Sequence, residues 1–360
     1  MKKLLLVVGT RPNFIKVTRF KQVARAHGGY VVDLVHTGQH FDDRMSTVFF
    51  EQFGLMPDHW LDTPATTPAT QMGHIMVELE RVARTVAPDL MMVVGDVNST
   101  LAGALVANKM GLRLAHLESG LRSRDMGMPE EINRILTDRI TQEFFVTEQS
   151  GTDNLLAEGA RPASLHFVGN TMIDTLVAFE EAIQAAPLPQ GVTKGHVLMT
   201  IHRPATVDSP GQLGLLVDLI ATVAADHPVV FPVHPRTTNN LQRFGLMDRL
   251  KAIPRVYLGE PLDYFGFQKL IATCAFVITD SGGIQEETTF RRTPCLTLRP
   301  NTERPVTVTL GTNELLPLDA VALRAAIGRI QDGTFKKGEV PPLWDGHATE
   351  RVFEALDRVL

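Results

Sequence analysis

The chain has 360 residues, 35 Lys and Arg against 40 Asp and Glu, a formal net charge of −5 and 44% hydrophobic residues. At about 150 residues per domain this predicts two domains, or one large one, with ample material for a core. The mild charge argues against a general nucleic-acid or membrane-surface role, and two cysteines exclude a disulfide scaffold or a four-cysteine zinc site.

The first apolar run, residues 4–8, follows Lys2 and Lys3 and stops at Gly9, too short for the apolar stretch of a signal peptide. Similar runs recur at 31–35, 90–94, 112–117, 197–201, 229–233 and 275–278. Each is mostly Val, Ile, Leu or Met, the composition of strands buried on both faces of a parallel sheet. Between them lie helical patterns at 15–27, 70–87, 100–109, 130–142 and 211–225. Strand and helix in alternation predict an α/β, doubly wound architecture. A further helical pattern, 171–185, leads into PLPQGVTKG at 187–195, which reads as the linker between two Rossmann-like halves. An amphipathic stretch at 349–360 closes the sequence and reads as a helix docked on one half. No run approaches the roughly 18 apolar residues that cross a bilayer. Cys274 and Cys295 lie in apolar surroundings and read as small buried hydrophobes, which suits a reducing cytoplasm.

Nearly every apolar run ends in a chemically capable cluster: Gly9-Thr10-Arg11-Pro12, His36 to His40, Gly95-Asp96, Glu118-Ser119-Gly120, His202-Arg203, His234-Pro235-Arg236 and Thr279 to Gly283. Ligands of open parallel sheets bind outside the carboxyl ends of the strands, so two halves with such endings predict one cleft between two sheets. At Ser281-Gly282-Gly283 a strand turns into a helix, where exposed N–H groups and the helix dipole favour a phosphate. Glu287, a turn further on, could accept from ribose hydroxyls. An ordinary Ser cap with acidic residues behind it fits these residues equally well. No G-x-G-x-x-G and no P-loop sequence is present, which disfavours nicotinamide dinucleotides and P-loop chemistry. Arg11 and Lys16 could face an anion at the mouth of the first strand.

Asp96 and Glu118 end successive strands of the first half. Carboxylates that meet there raise one another's pKa, which suits proton transfer near neutral pH. Glu130 and Glu131 follow Pro129 at a helix start; for Glu131 the simpler reading is a residue that favours the dipole. His202 and His234 could donate to a diphosphate or serve as structural histidines, and Arg304 could pair with phosphate or with a carboxylate such as Glu287. The scattered histidines carry no metal-binding spacing.

Taken together, GTRPNFIK (9–16), TGQH (37–40), GDVNSTLAGAL (95–105), HLESGLRS (116–123), PEEINR (129–134), VGN (168–170), HR (202–203), HPRT (234–237), TDSGGIQEE (279–287) and ERP (303–305) resemble the non-hydrolysing UDP-N-acetylglucosamine 2-epimerase family over nearly the whole chain. The resemblance implies a glycosyltransferase-B-type fold of two Rossmann-like domains facing a central cleft. The domains are 1–172, with a C-terminal helix at 347–360 packing back on it, and 173–346, which binds UDP. It implies a cytoplasmic homodimer acting on a UDP-sugar, in polysaccharide biosynthesis, without metal or nicotinamide cofactor. Position by position it makes Asp96, Glu118 and Glu130 the catalytic carboxylates and His202 the catalytic histidine. Arg11, Lys16, Arg134, His234, Arg236 and Arg304 become substrate contacts, Ser281, Gly282 and Gly283 the phosphate turn, Glu287 the ribose contact and Phe267 the ring that packs on uracil. Residues 41–45 (FDDRM) depart from relatives activated by a second UDP-sugar, so that site is expected to be absent or changed. FDDRMS and RSRDMGMPEEINR look more like the branch acting on UDP-2,3-diacetamido uronic acids. A glycosyltransferase on the same fold and a nucleotide-sugar sensor are the readings of other classes.

Overall fold

The computed structural model describes residues 1–38, 50–64 and 67–360. The expectation about a second UDP-sugar site falls largely on residues 39–45, outside the described ones. The chain divides into two compact units, Met1–Ala178 with Pro342–Leu360, and Phe179–Pro341.

Unit 1 holds β1 (Lys2–Val8), β2 (Tyr30–His36), β3 (His59–Trp60), β4 (Leu90–Val94), β5 (Arg113–Leu117), β6 (Glu143–Val146) and β7 (Leu165–Phe167). They form one sheet in the order β3-β2-β1-β4-β5-β6-β7, every pair parallel. Residues 4–8 and 90–94 are all buried, as continuous apolar runs require. The helices between the strands start and stop on local chemistry. In helix Pro68–Val86, Pro68 takes the first position, the Thr67 side chain accepts from the Thr70 N–H at 3.2 Å, and Ala87 ends it at φ +48°.

Unit 2 holds β8 (Val197–Thr200), β9 (Val229–Pro232), β10 (Val256–Gly259), β11 (Phe276–Thr279), β12 (Cys295–Thr297) and β13 (Asn313–Leu315). Their order is β10-β9-β8-β11-β12-β13, again all parallel. Both units are thus doubly wound. The strand order reverses between β1 and β4 in unit 1 and between β8 and β11 in unit 2. Those two switch points are where such sheets hold ligands.

Two details differ from expectation. The helical pattern 15–27 is two helices, Arg11–Ile15 and Phe20–His27, because the Ile15 carbonyl accepts from the Thr175 hydroxyl at 2.5 Å. The chain changes unit at Ala178 and Phe179 rather than at 172 or in the Pro/Gly stretch 187–195. Leu188 and Val192 of that stretch pack on the core of unit 2. The closing helix, Ala348–Val359, belongs to unit 1, where Phe353 meets Phe20 and Tyr30 at ring distances of 5.8 and 5.2 Å. No helix among the described residues is long and apolar enough to cross a membrane.

Candidate active site

In unit 1 the switch point gathers the tips of β1, β4 and β5. Gly9 admits close packing of helix Asn98–Met110, since a Cβ there would lie 2.0 Å from Ser99 Oγ. Gly95 turns the chain at φ +65° and delivers Asp96. Glu118 follows β5 at φ +68°, a left-handed conformation that costs a non-glycine residue about 1–3 kcal/mol. Strain of that kind at a strand tip marks a residue placed for a purpose beyond folding.

Each of these carboxylates has its own cation. Lys16 Nζ lies 2.5 Å from Glu118 Oε2, with both side chains buried. Arg134 donates to Asp96 Oδ2 from Nη2 at 2.7 Å and from Nε at 3.1 Å. Its Nη1 donates to Glu131 Oε2 at 2.5 Å. The mutual repulsion expected of Asp96 and Glu118 is therefore offset by paired charge. Lys16 and Arg134, read as substrate contacts, hold carboxylates here. Glu131, read as a dipole-favouring residue, is fully buried and clamps a loop. It accepts from the Ser123 N–H at 2.8 Å, the Ser123 hydroxyl at 3.0 Å and the Arg124 N–H at 2.8 Å. Glu130 is exposed in the first turn of helix Pro129–Ile140, and Arg11 is half-buried at the start of its helix.

In unit 2 the tips of β8 and β11 bring His202 and Ser281 together around Asp280. Asp280 is fully buried and accepts from the His202 N–H at 3.0 Å and the Arg203 N–H at 2.7 Å, and lies 3.2 Å from His202 Nδ1. Desolvation, with Arg203 and Arg236 nearby, lowers the His202 pKa in spite of Asp280. His234 stacks obliquely at 5.3 Å, and its Nδ1 accepts from the Arg236 N–H. The exposed Arg236 is paired with Asp208, its Nε at 2.8 Å from Oδ1.

Helix Gly282–Arg291 begins without a side-chain cap, because the Ser281 side chain makes no capping bond. Its first N–H groups and its dipole are left to serve an anion. A Cβ at Gly282 would lie 2.6 Å from Glu303 Oε1 and 2.7 Å from Arg304 Nη1, so only glycine fits over that pair. Arg304 donates to Glu303 Oε1 at 2.6 Å and approaches Glu286 Oε2 at 2.8 Å. Its carboxylate partners are thus Glu303 and Glu286 rather than Glu287. Burial pushes the Glu287 carboxyl up to about 7, against the Gln268 hydrogen bond and the Arg291 charge that lower it. Phe267 lies in the first turn of helix Tyr264–Thr273, half-buried against the core of unit 2. Burial also raises the thiols of Cys274 and Cys295, to about 12 and 11, so both are inert. Among the described residues no cluster of three His, Cys, Asp or Glu is placed to hold a metal ion.

Sequence reasoning missed Asp280, Glu303 and the buried His116 and Asp138. The first two stood inside quoted motifs, next to residues that drew the attention. His116 opens the quoted motif HLESGLRS but lies inside an apolar run and was passed over for Glu118.

Two doubly wound units, one carrying paired carboxylates and the other an uncapped helix start, define a protein of the glycosyltransferase-B type. The sequence matches the family described as UDP-N-acetylglucosamine 2-epimerase over residues 22–357, and the chain belongs to that family. It is 36% identical to UDP-N-acetylglucosamine 2-epimerase of Methanocaldococcus jannaschii, covering 98% of each chain. It is also 36% identical to UDP-2,3-diacetamido-2,3-dideoxy-D-glucuronate 2-epimerase of Pseudomonas aeruginosa, covering 99% of this chain and 100% of that one. Among solved structures, the M. jannaschii UDP-GlcNAc 2-epimerase in complex with UDP-GlcNAc and UDP superposes with a TM-score of 0.90, at 35% identity and 99% coverage of both chains.

Proposed function

We propose that the protein is a non-hydrolysing 2-epimerase that interconverts UDP-GlcNAc and UDP-ManNAc. The observation that carries this reading is the pair Asp96 and Glu118 at adjacent strand tips, each held by a buried cation, Arg134 or Lys16. The C2–H of the sugar is not acidic, because no carbonyl adjoins it. The reaction therefore eliminates UDP: one carboxylate takes the C2 proton, the C1–O bond to the diphosphate breaks, and 2-acetamidoglucal remains. UDP then adds back at C1 while a proton reaches the opposite face of C2. Asp96 and Glu118 handle the protons, and Glu130 orients the set. General acid–base groups of this kind contribute about 10²–10⁴ in rate each.

Unit 2 holds the nucleotide. The N–H groups at Ser281, Gly282 and Gly283 take the diphosphate, with Arg304 beneath them and His234 and Arg236 as further contacts. In unit 1, Arg11, Lys16 and Arg134 are the proposed substrate contacts. His202, beside Asp280, assists the departure and return of the diphosphate. Glu287 accepts from the ribose, and Phe267 packs on uracil. The same reading has the enzyme acting as a homodimer in the cytoplasm, supplying a sugar for polysaccharide; light scattering of the purified protein tests the dimer.

A second reading rests on a specific observation: identity to the diacetamido-glucuronate epimerase equals that to the UDP-GlcNAc enzyme, at 36% each. Proton NMR of both UDP-sugars with the protein in D₂O decides between them. The expected result is deuterium at C2 and a manno product from UDP-GlcNAc, without free sugar. Turnover of the uronate alone supports the second reading, and release of free ManNAc overturns the non-hydrolysing one. Asp96→Asn and Glu118→Gln each cut turnover by about 10²-fold or more while UDP still binds. Undiminished turnover in both would remove the acid/base assignment.

A further inference from the structure

Beneath the two acid/base candidates lies a fully buried polar group that the proposed mechanism does not use. His116 is the penultimate residue of β5, with no exposed surface. Its Nε2 is 2.7 Å from the carbonyl of Gly95, the peptide that leads into Asp96. Its Nδ1 is 2.6 Å from Asp138 Oδ1, on helix Pro129–Ile140. Asp138 Oδ2 accepts from the Gly120 N–H at 3.1 Å, two residues past Glu118, and lies 2.8 Å from Arg122 Nη1. Arg122 is anchored in turn by a two-pronged pair with Glu158, at 2.9 and 2.7 Å.

A carbonyl only accepts, so Nε2 carries hydrogen and donates to Gly95. Nδ1 is held by Asp138, whose pKa burial alone would raise but which His116 and Arg122 together lower.

The backbone it ties down is the backbone that needs tying. Gly95, Glu118 and Gly120 all stand at positive φ, +65°, +68° and +81°. Gly120 is further restricted, since a Cβ there would lie 2.4 Å from the Gly151 carbonyl. Glycine takes positive φ freely, so the strain is that of Glu118, and a strained residue keeps its geometry only where surrounding contacts over-determine it. Resting on the proposed epimerase reading, we propose that His116 is a positioning residue. Through the Gly95 carbonyl it sets the peptide that carries Asp96, and through Asp138 and the Gly120 N–H it sets the turn that carries Glu118.

The two hydrogen bonds of His116 separate by side-chain length. In His116→Asn the amide stands near Nδ1 and still donates to Asp138, but it does not reach Gly95. In His116→Gln the amide reaches the place of Nε2 and still donates to Gly95. A misplacement of about 1 Å at a reacting group costs about 10² in rate, so kcat of His116→Asn falls by about that factor while KM and UDP affinity stay within about twofold. His116→Gln recovers about tenfold of that loss. A merely structural residue would instead lower both variants alike, or move KM and kcat together, and either result overturns the proposal. So does full turnover in His116→Asn. Wild-type protein that turns over no UDP-HexNAc defeats the epimerase reading, and a separate measurement then tests the clamp. In ¹⁵N-histidine NMR the resonances lost in His116→Asn must show a hydrogen on Nε2 that exchanges slowly with water, as its bond to the buried Gly95 carbonyl requires. An Nε2 without hydrogen overturns the proposal whatever the substrate.

Discussion

Glu118 concentrates two costs in one residue, a left-handed backbone and a carboxylate that is 3% exposed. Lys16, 5% exposed, offsets the second. Removing one member of a buried ion pair leaves an uncompensated charge and costs about 3–5 kcal/mol, whereas removing both is close to neutral. Glu118→Gln and Lys16→Met should each destabilise unit 1 by about that amount, and the double variant by far less than the sum. Urea unfolding of the four proteins measures the coupling, and strictly additive losses would show that the pair does not interact. Sequence found the carboxylates because they end apolar runs. It gave Lys16 and Arg134 as substrate contacts through the family resemblance, and could not show the carboxylates they pair with in the fold. Only the fold brings Arg134 from its helix to Asp96 and turns Lys16 inward. Glu131 shows the same limit: its position at a helix start is visible, but the Ser123 and Arg124 N–H groups that it binds are not.

Among elements, helix Gly282–Arg291 trades stability for a place to bind. Its carboxyl at Glu287 titrates near 7 because burial disfavours the charge. The unfolded chain binds that proton only below its ordinary pKa of 4.5. The folded protein thus loses stability as pH rises from about 4.5 to about 7 and stays at that lower level above, by about 3 kcal/mol. Glu287→Gln removes the penalty: it should be more stable than wild type at pH 8, and the advantage should shrink at pH 5. Its UDP affinity should fall about tenfold, the loss of a hydrogen bond to a charged acceptor. Urea unfolding at the two pH values checks the first, and an advantage independent of pH would contradict it. The elements themselves were legible in proportion to their burial. β1, β4 and β5 read clearly because both faces are covered. β8, β9 and β11, of four residues each, also showed as apolar runs. β3, β7, β10 and β13 did not, because they are only partly buried and mixed in composition, nor did β6, whose apolar part is the triplet Phe144-Phe145-Val146. The break between helices at residues 16–19 was invisible, because its cause, Thr175, lies far away in sequence.

At the scale of the whole molecule, unit 1 is assembled from two separate stretches of chain, and the second must be held. Periodicity showed the closing helix as amphipathic but said nothing of what covers it. The answer lies in one buried carboxylate. Asp174, on helix Thr171–Ala178, accepts from the Ala348 N–H at 3.0 Å, the Thr349 N–H at 2.5 Å and the Thr349 hydroxyl at 2.6 Å. It caps a helix that has no cap of its own, since His347 makes no side-chain bond there. The Trp344 indole N–H donates to the Thr147 carbonyl at 2.9 Å and pins the approach to that helix. Losing a cap costs about 1–2 kcal/mol, and leaving buried donors unpaired adds about 1–3 kcal/mol. Asp174→Ala should therefore loosen the segment locally before it unfolds the protein. Amide exchange should accelerate in helix Ala348–Val359 and in the two helices it covers, Phe20–His27 and Thr171–Ala178. β8 and β11 should exchange as in the wild type. Equal acceleration in those strands would mean that the clamp stabilises the whole chain rather than the unit it closes.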